Sequence, residues 1–172
     1  MGADVSRTLR VGDSAPEFAL AAANRFDAPK QPQRFSLRQL MAHGPVILEF
    51  LRGTWLPNCV KRMAQFEPVR AAIESAGVQI AFIAAEKRAG MFNPEKFLLE
   101  HPISFPFLLD EDRQVTKAYG VYHRLGRDAI NIARPATFVV DRSGLLRFIY
   151  VGASQTDRAA IETVVGAAKS IS

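Results

Sequence analysis

The sequence has little of the residue types that build disulfide frameworks or metal centres. A single cysteine, Cys59, stands among 172 residues. No intrachain disulfide can form, so the fold needs no oxidising compartment. The three histidines, His43, His101 and His123, are too far apart for ligand spacing. We therefore expect neither a bound metal nor a cofactor.

Long apolar runs and blocks of like charge are also missing. No stretch approaches the roughly 18 apolar residues that span a bilayer, and the first residues lack the apolar core of a secretory signal. We therefore expect a cytoplasmic protein without membrane contact. The formal net charge of +5 is scattered along the chain, and no nucleic-acid motif accompanies it, so we expect no nucleic-acid partner. Gly-rich phosphate loops, serine nucleophile elbows and paired-carboxylate motifs are absent too.

The most informative stretch begins with a short apolar run at residues 46–51, which predicts a buried strand. Gly53 permits a tight turn after it. Pro57 suits the first turn of a helix, where its missing N–H is not needed. Cys59 follows two residues later, near the predicted helix N-terminus, where backbone N–H groups and the helix dipole favour a negative charge. The segment therefore presents a thiol where its reactive thiolate form is favoured.

Strands and helices alternate along the rest of the chain. We predict further strands near residues 18–20, 78–85, 105–110, 136–141 and 145–151, and helices over 36–41, 57–75, 93–100, 112–119 and 156–169. Pro68 should interrupt the second helix, and residues 24–33 indicate a loop. Residues 1–10 are interpreted as a lead-in and residues 11–172 as one domain. The pattern predicts an α/β fold, a mixed central sheet with helices on both faces.

Four segments resemble the peroxiredoxin-like proteins of the alkyl hydroperoxide reductase/thiol-specific antioxidant type, members of the redoxins. They are residues 11–20 (VGDSAPEFAL), 50–59 (FLRGTWLPNC), 107–110 (FLLD) with 119–121 (YGV), and 134–144 (RPATFVVDRSG). Their order and spacing cover nearly the whole chain. The resemblance implies a thioredoxin-like fold with an N-terminal extension. It also implies a thiol-dependent antioxidant oxidoreductase that needs no cofactor.

The chain departs from the pattern of this family at one position. Many members have Trp-Cys-Pro-x-Cys where residues 55–59 are Trp-Leu-Pro-Asn-Cys. In two-cysteine members the first cysteine is the exposed nucleophile and the second is its buried partner, and Cys59 matches the second. The threonine that typical peroxiredoxins place three residues before the peroxidatic cysteine is replaced by Leu56, and Thr54 lies five residues ahead. Two alternatives follow: a one-cysteine peroxidase, or a degenerate redoxin that binds a partner or ligand.

The resemblance also selects neighbours of Cys59. Pro135 matches the proline that forms a cis bond beside the active site of thioredoxin-like proteins, so we expect it cis and close to Cys59. Arg134 is the candidate for an arginine that steadies the thiolate; the alternative is a solvated surface charge. Glu49 is either a buried proton relay or an acid that points to the end of the sheet or pairs with an arginine. Trp55 either covers the active site or packs in the core.

The enzyme alternative carries its own expectations. Cys59 should then be partly exposed, with Lys61 and Arg62 stabilising its thiolate. The resemblance implies a peroxide or a small thiol or disulfide as substrate, with thioredoxin or glutathione as candidate reductants. A homodimer is kept as an open expectation. The degenerate alternative instead predicts a buried and inert Cys59, which is how many free cysteines behave.

Overall fold

The computed structural model describes residues 8–90, 92–126 and 129–172. The strands are β1 (Ala19–Ala28), β2 (Gln31–Ser36), β3 (Val46–Leu51), β4 (Gln79–Ala84), β5 (Phe107–Leu109), β6 (Tyr122–Gly126), β7 (Ala129–Ala133), β8 (Ala136–Val140) and β9 (Leu146–Val151). The helices are α1 (Leu37–Met41), α2 (Pro57–Phe66), α3 (Arg70–Ser75), α4 (Pro94–Glu100), α5 (Gln114–Ala118) and α6 (Ile161–Lys169). Within these ranges, no helix combines the length and apolarity needed to cross a bilayer.

Seven strands form one mixed sheet in the order β2-β1-β5-β4-β3-β8-β9. The neighbours β3, β4 and β5 run parallel, whereas β8 lies antiparallel to β3. One face packs against α2, α3 and α6, and the other packs against α1 and the end of α5. The predicted α/β class, with a mixed sheet and helices on both faces, is confirmed. The single domain over residues 11–172 stays a prediction.

Strand β3 lies inside the sheet and is buried on both faces. All six of its residues are buried, which explains its nearly continuous apolar sequence. Ile47 and Leu51 face the core that contains α2, while Leu48 and Phe50 face the opposite core. The one charged residue of the strand, Glu49, therefore needs a partner inside the protein. Glu49 thus brings a basic side chain into the interior beside β3.

The helix that follows β3 is interrupted as predicted. It runs as α2, then as a 3₁₀ turn at Glu67–Val69 that contains Pro68, and then as α3. Proline lacks the N–H that an α-helix needs at that position. Gly77 closes the unit with φ of 71°, a left-handed conformation that glycine adopts without steric cost.

The predicted loop at residues 24–33 is wrong, because these residues belong to the β1–β2 hairpin. The side chain of Asn24 accepts from the Phe107 N–H at 2.9 Å and donates to the Phe105 carbonyl at 2.8 Å. An asparagine that suggested a loop thus ties β1 to the segment of β5. Pro32 is tolerated because β2 is an edge strand.

The last helix begins at Ile161 rather than at residue 156. Asp157 accepts from the N–H of Ala153 at 2.7 Å and from the hydroxyl of Tyr150, which holds residues 153–157 in an irregular turn. These side-chain hydrogen bonds stabilise a turn at residues 153–157, so the helix that the apolar periodicity predicted there does not form. A second difference is the separate antiparallel pair of strands β6 and β7, which was not predicted from the sequence.

Candidate active site

Cys59 is the third residue of α2, directly after the turn that follows β3. Pro57 occupies the first turn of this helix, so both positions predicted from the sequence are confirmed. Leu56 is the N-cap of the helix, and its carbonyl accepts from the N–H groups of Cys59 at 3.1 Å and Val60 at 3.2 Å. The turn and the proline thus fix the thiol at the carboxyl end of β3.

The sulfur of Cys59 is buried, with 1% of the residue exposed. The expected partial exposure is therefore wrong. Cys59 lies on the inward stripe of α2 together with Met63 and Phe66, and that stripe packs into the core. The Sγ atom accepts from the backbone N–H of Arg52 at 3.3 Å. The thiol is thus held from the β3 side by an amide and from the helix side by packing.

Glu49 and Arg62 form a buried ion pair beneath α2. Arg62 donates from Nε to Glu49 Oε2 at 3.0 Å and from Nη2 to Oε1 at 2.9 Å. The hydroxyl of Thr137 donates to Oε1 at 2.6 Å, and Arg62 also donates to the carbonyl of Ala159 at 2.7 Å. Of the two alternatives for Glu49, the structure shows the pairing with an arginine. Arg62 is therefore the ion-pair partner of Glu49, and the expectation that it stabilises Cys59 directly is wrong.

Arg158 connects the thiol to this ion pair. Its Nη2 atom lies 3.8 Å from Cys59 Sγ, and its Nη1 atom lies 3.9 Å from Glu49 Oε2. Its Nε and Nη1 atoms are buried and have no hydrogen-bond acceptor among the described residues. Burial lowers the pKa of Arg158, and this shift is opposed by the attraction of Cys59 and Glu49.

The cluster therefore contains two guanidinium groups against one carboxylate, so it lacks one negative charge. A negatively charged sulfur at Cys59 would supply that charge. Sequence reasoning missed Arg158 because it precedes α6 in an irregular segment, 99 residues from Cys59, and belongs to no motif. Residues 156–169 were predicted as a helix, and nothing in that pattern indicated that Arg158 would contact Cys59.

Arg134 and Pro135 lie directly before β8, beside the carboxyl end of β3, but they do not match their expected roles. Arg134 is exposed, which is the alternative of a surface charge, and its N–H donates to the Val121 carbonyl at 2.7 Å. The bond before Pro135 is trans, since the described chain contains no cis peptide, so the predicted cis proline is wrong. Trans is the lower-energy isomer, and the Pro135 carbonyl is satisfied by the N–H of Gly152 at 2.7 Å.

The turn between β3 and α2 is held by a buried acid. Glu86, just after β4, accepts from the N–H of Thr54 at 3.1 Å and from its hydroxyl at 2.8 Å. Burial raises the pKa of Glu86, against the opposing effect of these two hydrogen bonds. Thr54 is thus a structural residue of the turn. Glu86 was not among the predicted site residues, although an acid at the carboxyl end of a buried strand next to the predicted site is a usable indication.

Trp55 and Leu56 form the outer surface of the same turn. The Trp55 ring lies against Gly53, where an added Cβ would come within 2.5 Å of its Nε1 atom. It stacks on Phe92 with ring centroids 5.4 Å apart. Leu56 is half-buried and packs against the core beside α2. Trp55 therefore covers the turn after β3, and Leu56 lies where a second cysteine would stand.

The relationship of this chain to known proteins agrees with the geometry. The family model described as Redoxin matches residues 10–165. The chain belongs to the Redoxin family. Thiol-disulfide oxidoreductase ResA of Geobacillus thermodenitrificans is 30% identical over 144 residues, covering 84% of this chain and 71% of that protein. A Mycobacterium tuberculosis protein named as a peroxiredoxin is 30% identical over 148 residues, covering 81% of this chain and 85% of that protein.

The predicted thioredoxin-like fold is confirmed. The crystal structure of peroxidoxin BcpB from Mycobacterium tuberculosis superimposes with a TM-score of 0.77 at 21% identity, covering 95% of this chain and 99% of that chain. In this redoxin, the fold brings Cys59 and Glu49 together through Arg158. Arg134 and Pro135 precede the start of β8, where Ala136 pairs with Phe50 of β3.

Proposed function

We propose that this redoxin is a thiol-dependent oxidoreductase that reduces peroxides through Cys59 alone, with an external thiol as reductant. One observation carries the proposal: Cys59 Sγ lies between the Arg52 N–H and the Arg158 guanidinium, in a cluster with an excess of positive charge. Positive charge beside the sulfur suits a nucleophile that attacks the peroxide as an anion. The names of the relatives, peroxiredoxin and thiol-disulfide oxidoreductase, support the same class of chemistry.

The reaction balances without a cofactor. The thiolate of Cys59 attacks one peroxide oxygen, an S–O bond forms and the O–O bond breaks. The leaving alkoxide or hydroxide takes up a proton and departs as alcohol or water, and the sulfur is left as a sulfenic acid. One external thiol then forms a mixed disulfide with Cys59 and releases water. A second external thiol displaces Cys59, which returns reduced while the two external thiols leave as a disulfide.

Arg158 has two tasks in this scheme. It stabilises the negative sulfur before attack, and it is close enough to interact with the oxygen that the sulfur gains. The burial of Cys59 favours small oxidants, because a peroxide reaches Sγ only when the covering side chains open locally. We therefore expect modest rates and a preference for hydrogen peroxide over bulky lipid hydroperoxides.

The decisive experiment compares two arginines. Peroxide consumption is measured with dithiothreitol, glutathione or thioredoxin as reductant, for the natural protein, Cys59→Ser, Arg158→Met and Arg134→Met. We expect Cys59→Ser to abolish turnover and Arg158→Met to lower the rate at least tenfold. Arg134→Met is the matched control, since this side chain is exposed, and its rate should stay within about twofold of the natural protein. Equal effects of the two arginine substitutions would refute the role of Arg158.

A second candidate function is a degenerate redoxin that binds a partner or ligand without redox chemistry. Two observations favour it: Cys59 is buried, and Leu56 stands in the position of the first cysteine of the family. The two functions are separated by mass spectrometry of Cys59 after peroxide treatment, quenching and denaturing alkylation. A thiol that stays fully reduced at peroxide concentrations that oxidise free cysteine would support the degenerate redoxin.

A further inference from the structure

Glu86, just after β4, is a buried acid to which the proposed reaction gives no task. We infer that Glu86 is a positioning residue: it holds the turn after β3 so that the backbone N–H of Arg52 stays on the sulfur of Cys59. This role rests on the proposed function, since it serves the thiol that carries the reaction. It differs from the role of Glu49, which pairs with Arg62.

The strand pairing that holds β3 ends just before this turn. The last pair between β3 and β4 is Leu51 with Ala84, and β8 pairs with β3 only as far as Phe50. Arg52 is therefore the first residue beyond both ladders, and Glu86 lies two residues beyond Ala84 on the neighbouring strand. Because the ladders no longer fix the backbone here, other bonds have to hold the Arg52 N–H in place.

Glu86 supplies that attachment through both oxygens of its carboxyl group. Oε2 accepts from the N–H of Thr54 at 3.1 Å, and Oε1 accepts from the Thr54 hydroxyl at 2.8 Å. Gly53 lies against the same carboxyl group, because a Cβ added there would be 3.3 Å from its carbon. The two residues that follow Arg52 are thus both held at the end of β4.

The N–H that this attachment fixes is the one that meets the sulfur. The Arg52 N–H donates to Cys59 Sγ at 3.3 Å, and Cys59 and Thr54 are both buried, which shields these bonds from water. In the proposed reaction Sγ attacks a peroxide oxygen as an anion. A donor that is already in place orients the sulfur and needs no rearrangement at that moment. Glu86 therefore acts on the reaction through the turn.

The attachment survives a change in the protonation of Glu86. Burial raises the pKa of this carboxyl group. A protonated carboxyl group can still accept from the Thr54 N–H while it donates to the Thr54 hydroxyl oxygen, and a glutamine can form the same two bonds. Glu86→Gln should therefore keep the turn in place, whereas Glu86→Met, with a side chain of similar length, removes both bonds.

Two measurements on the full chain test this role. One is the amide signal of Arg52 in the ¹⁵N–¹H spectrum; the other is the second-order rate constant for oxidation of Cys59 by hydrogen peroxide, from mass spectrometry after denaturing alkylation. We expect Glu86→Met to shift the Arg52 signal and to lower the rate constant about tenfold, because a displaced donor slows such reactions by that order or more. Glu86→Gln should restore the signal and keep the rate constant within about twofold of the natural protein.

A milder matched pair of variants keeps the test decisive if Glu86→Met does not fold. Thr54→Val removes the hydroxyl bond to Glu86. Thr116→Val removes an equivalent buried bond, in which the Thr116 hydroxyl donates to Asp110 at 2.6 Å. We expect Thr54→Val to shift the Arg52 signal and to slow the oxidation severalfold, while Thr116→Val does neither.

The outcomes separate this role from the proposed function. Equal responses to Thr54→Val and Thr116→Val would overturn the role of Glu86, and so would a Glu86→Gln variant that behaves like Glu86→Met. If the Arg52 signal follows the expected pattern but peroxide leaves Cys59 reduced in every variant and in the natural protein, the proposed function fails. The positioning of the Arg52 N–H by Glu86 is supported in that case.

Discussion

At the scale of single residues, the decisive feature is a carboxylate shared by two guanidinium groups inside the protein. Glu49 has no exposed surface, and Arg62 holds both of its oxygens. Removing one partner of a buried pair leaves an uncompensated charge, which costs more than the pair itself contributes. Glu49 is therefore better understood as the anchor of the cationic cluster than as an isolated proton relay.

We predict that Glu49→Gln lowers the free energy of unfolding by about 3–5 kcal/mol, because Arg62 and Arg158 would then face each other without an anion. Urea unfolding at neutral pH measures this. Glu74→Gln is the control: it breaks the exposed Arg70–Glu74 pair, and its effect should be far smaller. If the two substitutions lower the free energy of unfolding equally, the buried cluster does not depend on the negative charge of Glu49.

The sequence predicted part of this cluster. A buried acid in an apolar strand has few ways to be satisfied, so pairing of Glu49 with an arginine was foreseeable from the pattern alone. The identity of the second arginine was not, because Arg158 reaches Cys59 only through the fold of residues 153–160. Motif position favoured Arg134 instead, and motif position does not determine which way a side chain points.

At the scale of elements, the start of α2 determines which redox chemistry is open to the protein. Leu56 and Cys59 lie one helical turn apart, with the Cys59 N–H donating to the Leu56 carbonyl. Because Leu56 provides no second sulfur, we expect the natural protein to show little or no disulfide reduction in an insulin assay.

We predict that Leu56→Cys forms an internal disulfide with Cys59 under mild oxidation and gains insulin-reductase activity. Mass spectrometry with and without reductant, followed by alkylation, detects the bond. Leu56→Cys combined with Cys59→Ser is the control, and it should form no internal disulfide. Strong insulin reduction by the natural protein would contradict the prediction, as would a Leu56→Cys variant that keeps two free thiols.

The turn between β3 and α2 should make stability depend on pH. Burial raises the pKa of Glu86 above the ordinary value of 4.5, so the folded protein binds this proton more tightly than the unfolded chain. The stabilisation that results is fully present below about pH 4.5 and is lost as the pH rises through the folded-state pKa. Protonation of Glu86 at low pH therefore stabilises the folded protein, because burial disfavours the charged carboxylate.

We predict that Glu86→Gln gains stability relative to the natural protein as the pH rises from about 4 to 7, because an amide does not titrate, and it can accept from the Thr54 N–H and donate to the Thr54 hydroxyl. Urea unfolding at several pH values measures the difference. Asp110, whose pKa burial also raises, is present in both proteins and cancels in the comparison. A difference that does not vary with pH would show that Glu86 keeps its ordinary pKa.

Elements were predictable where local chemistry fixes them. Ser36 caps α1 with its hydroxyl and pairs with Gln39 in a capping box, and Pro68 interrupts the helix by its own geometry. The hairpin at β1–β2 and the late start of α6 were not predictable from local pattern. The β1–β2 hairpin depends on distant partners, because Asn24 of β1 forms hydrogen bonds with the segment of β5. The late start of α6 depends on the hydrogen bonds that Asp157 accepts from Tyr150 and Ala153.

At the scale of the whole molecule, the central sheet separates two cores, and the segment before β1 closes one of them. The N–H groups of Gly12 and Ala15 donate to the Leu146 and Gly144 carbonyls at 2.7 and 2.8 Å. Tyr119, at the end of α5, donates its hydroxyl to the Pro16 carbonyl at 2.8 Å. These bonds attach the segment both to the β8–β9 hairpin and to the core.

Tyr119 is the core residue to which the segment before β1 is bonded. Its ring is buried against Phe50 and Phe138, with centroids 5.1 and 5.0 Å away. Burial raises the pKa of its hydroxyl, so this group remains a donor throughout the ordinary pH range. A phenylalanine would keep the ring packing and lose only the bond to Pro16. The substitution therefore isolates the contribution of one hydrogen bond to the order of the segment.

We predict that Tyr119→Phe lowers the free energy of unfolding by about 1 kcal/mol, the usual net worth of a hydrogen bond. The amide protons of Gly12 and Ala15 should exchange faster with solvent, because the segment loses its inner attachment. Tyr150→Phe is the matched control, since its hydroxyl bonds Asp157 at the other end of β9, and it should leave those two amides protected. If Gly12 and Ala15 exchange equally in both variants, the backbone bonds to the β8–β9 hairpin hold the segment without help from Tyr119.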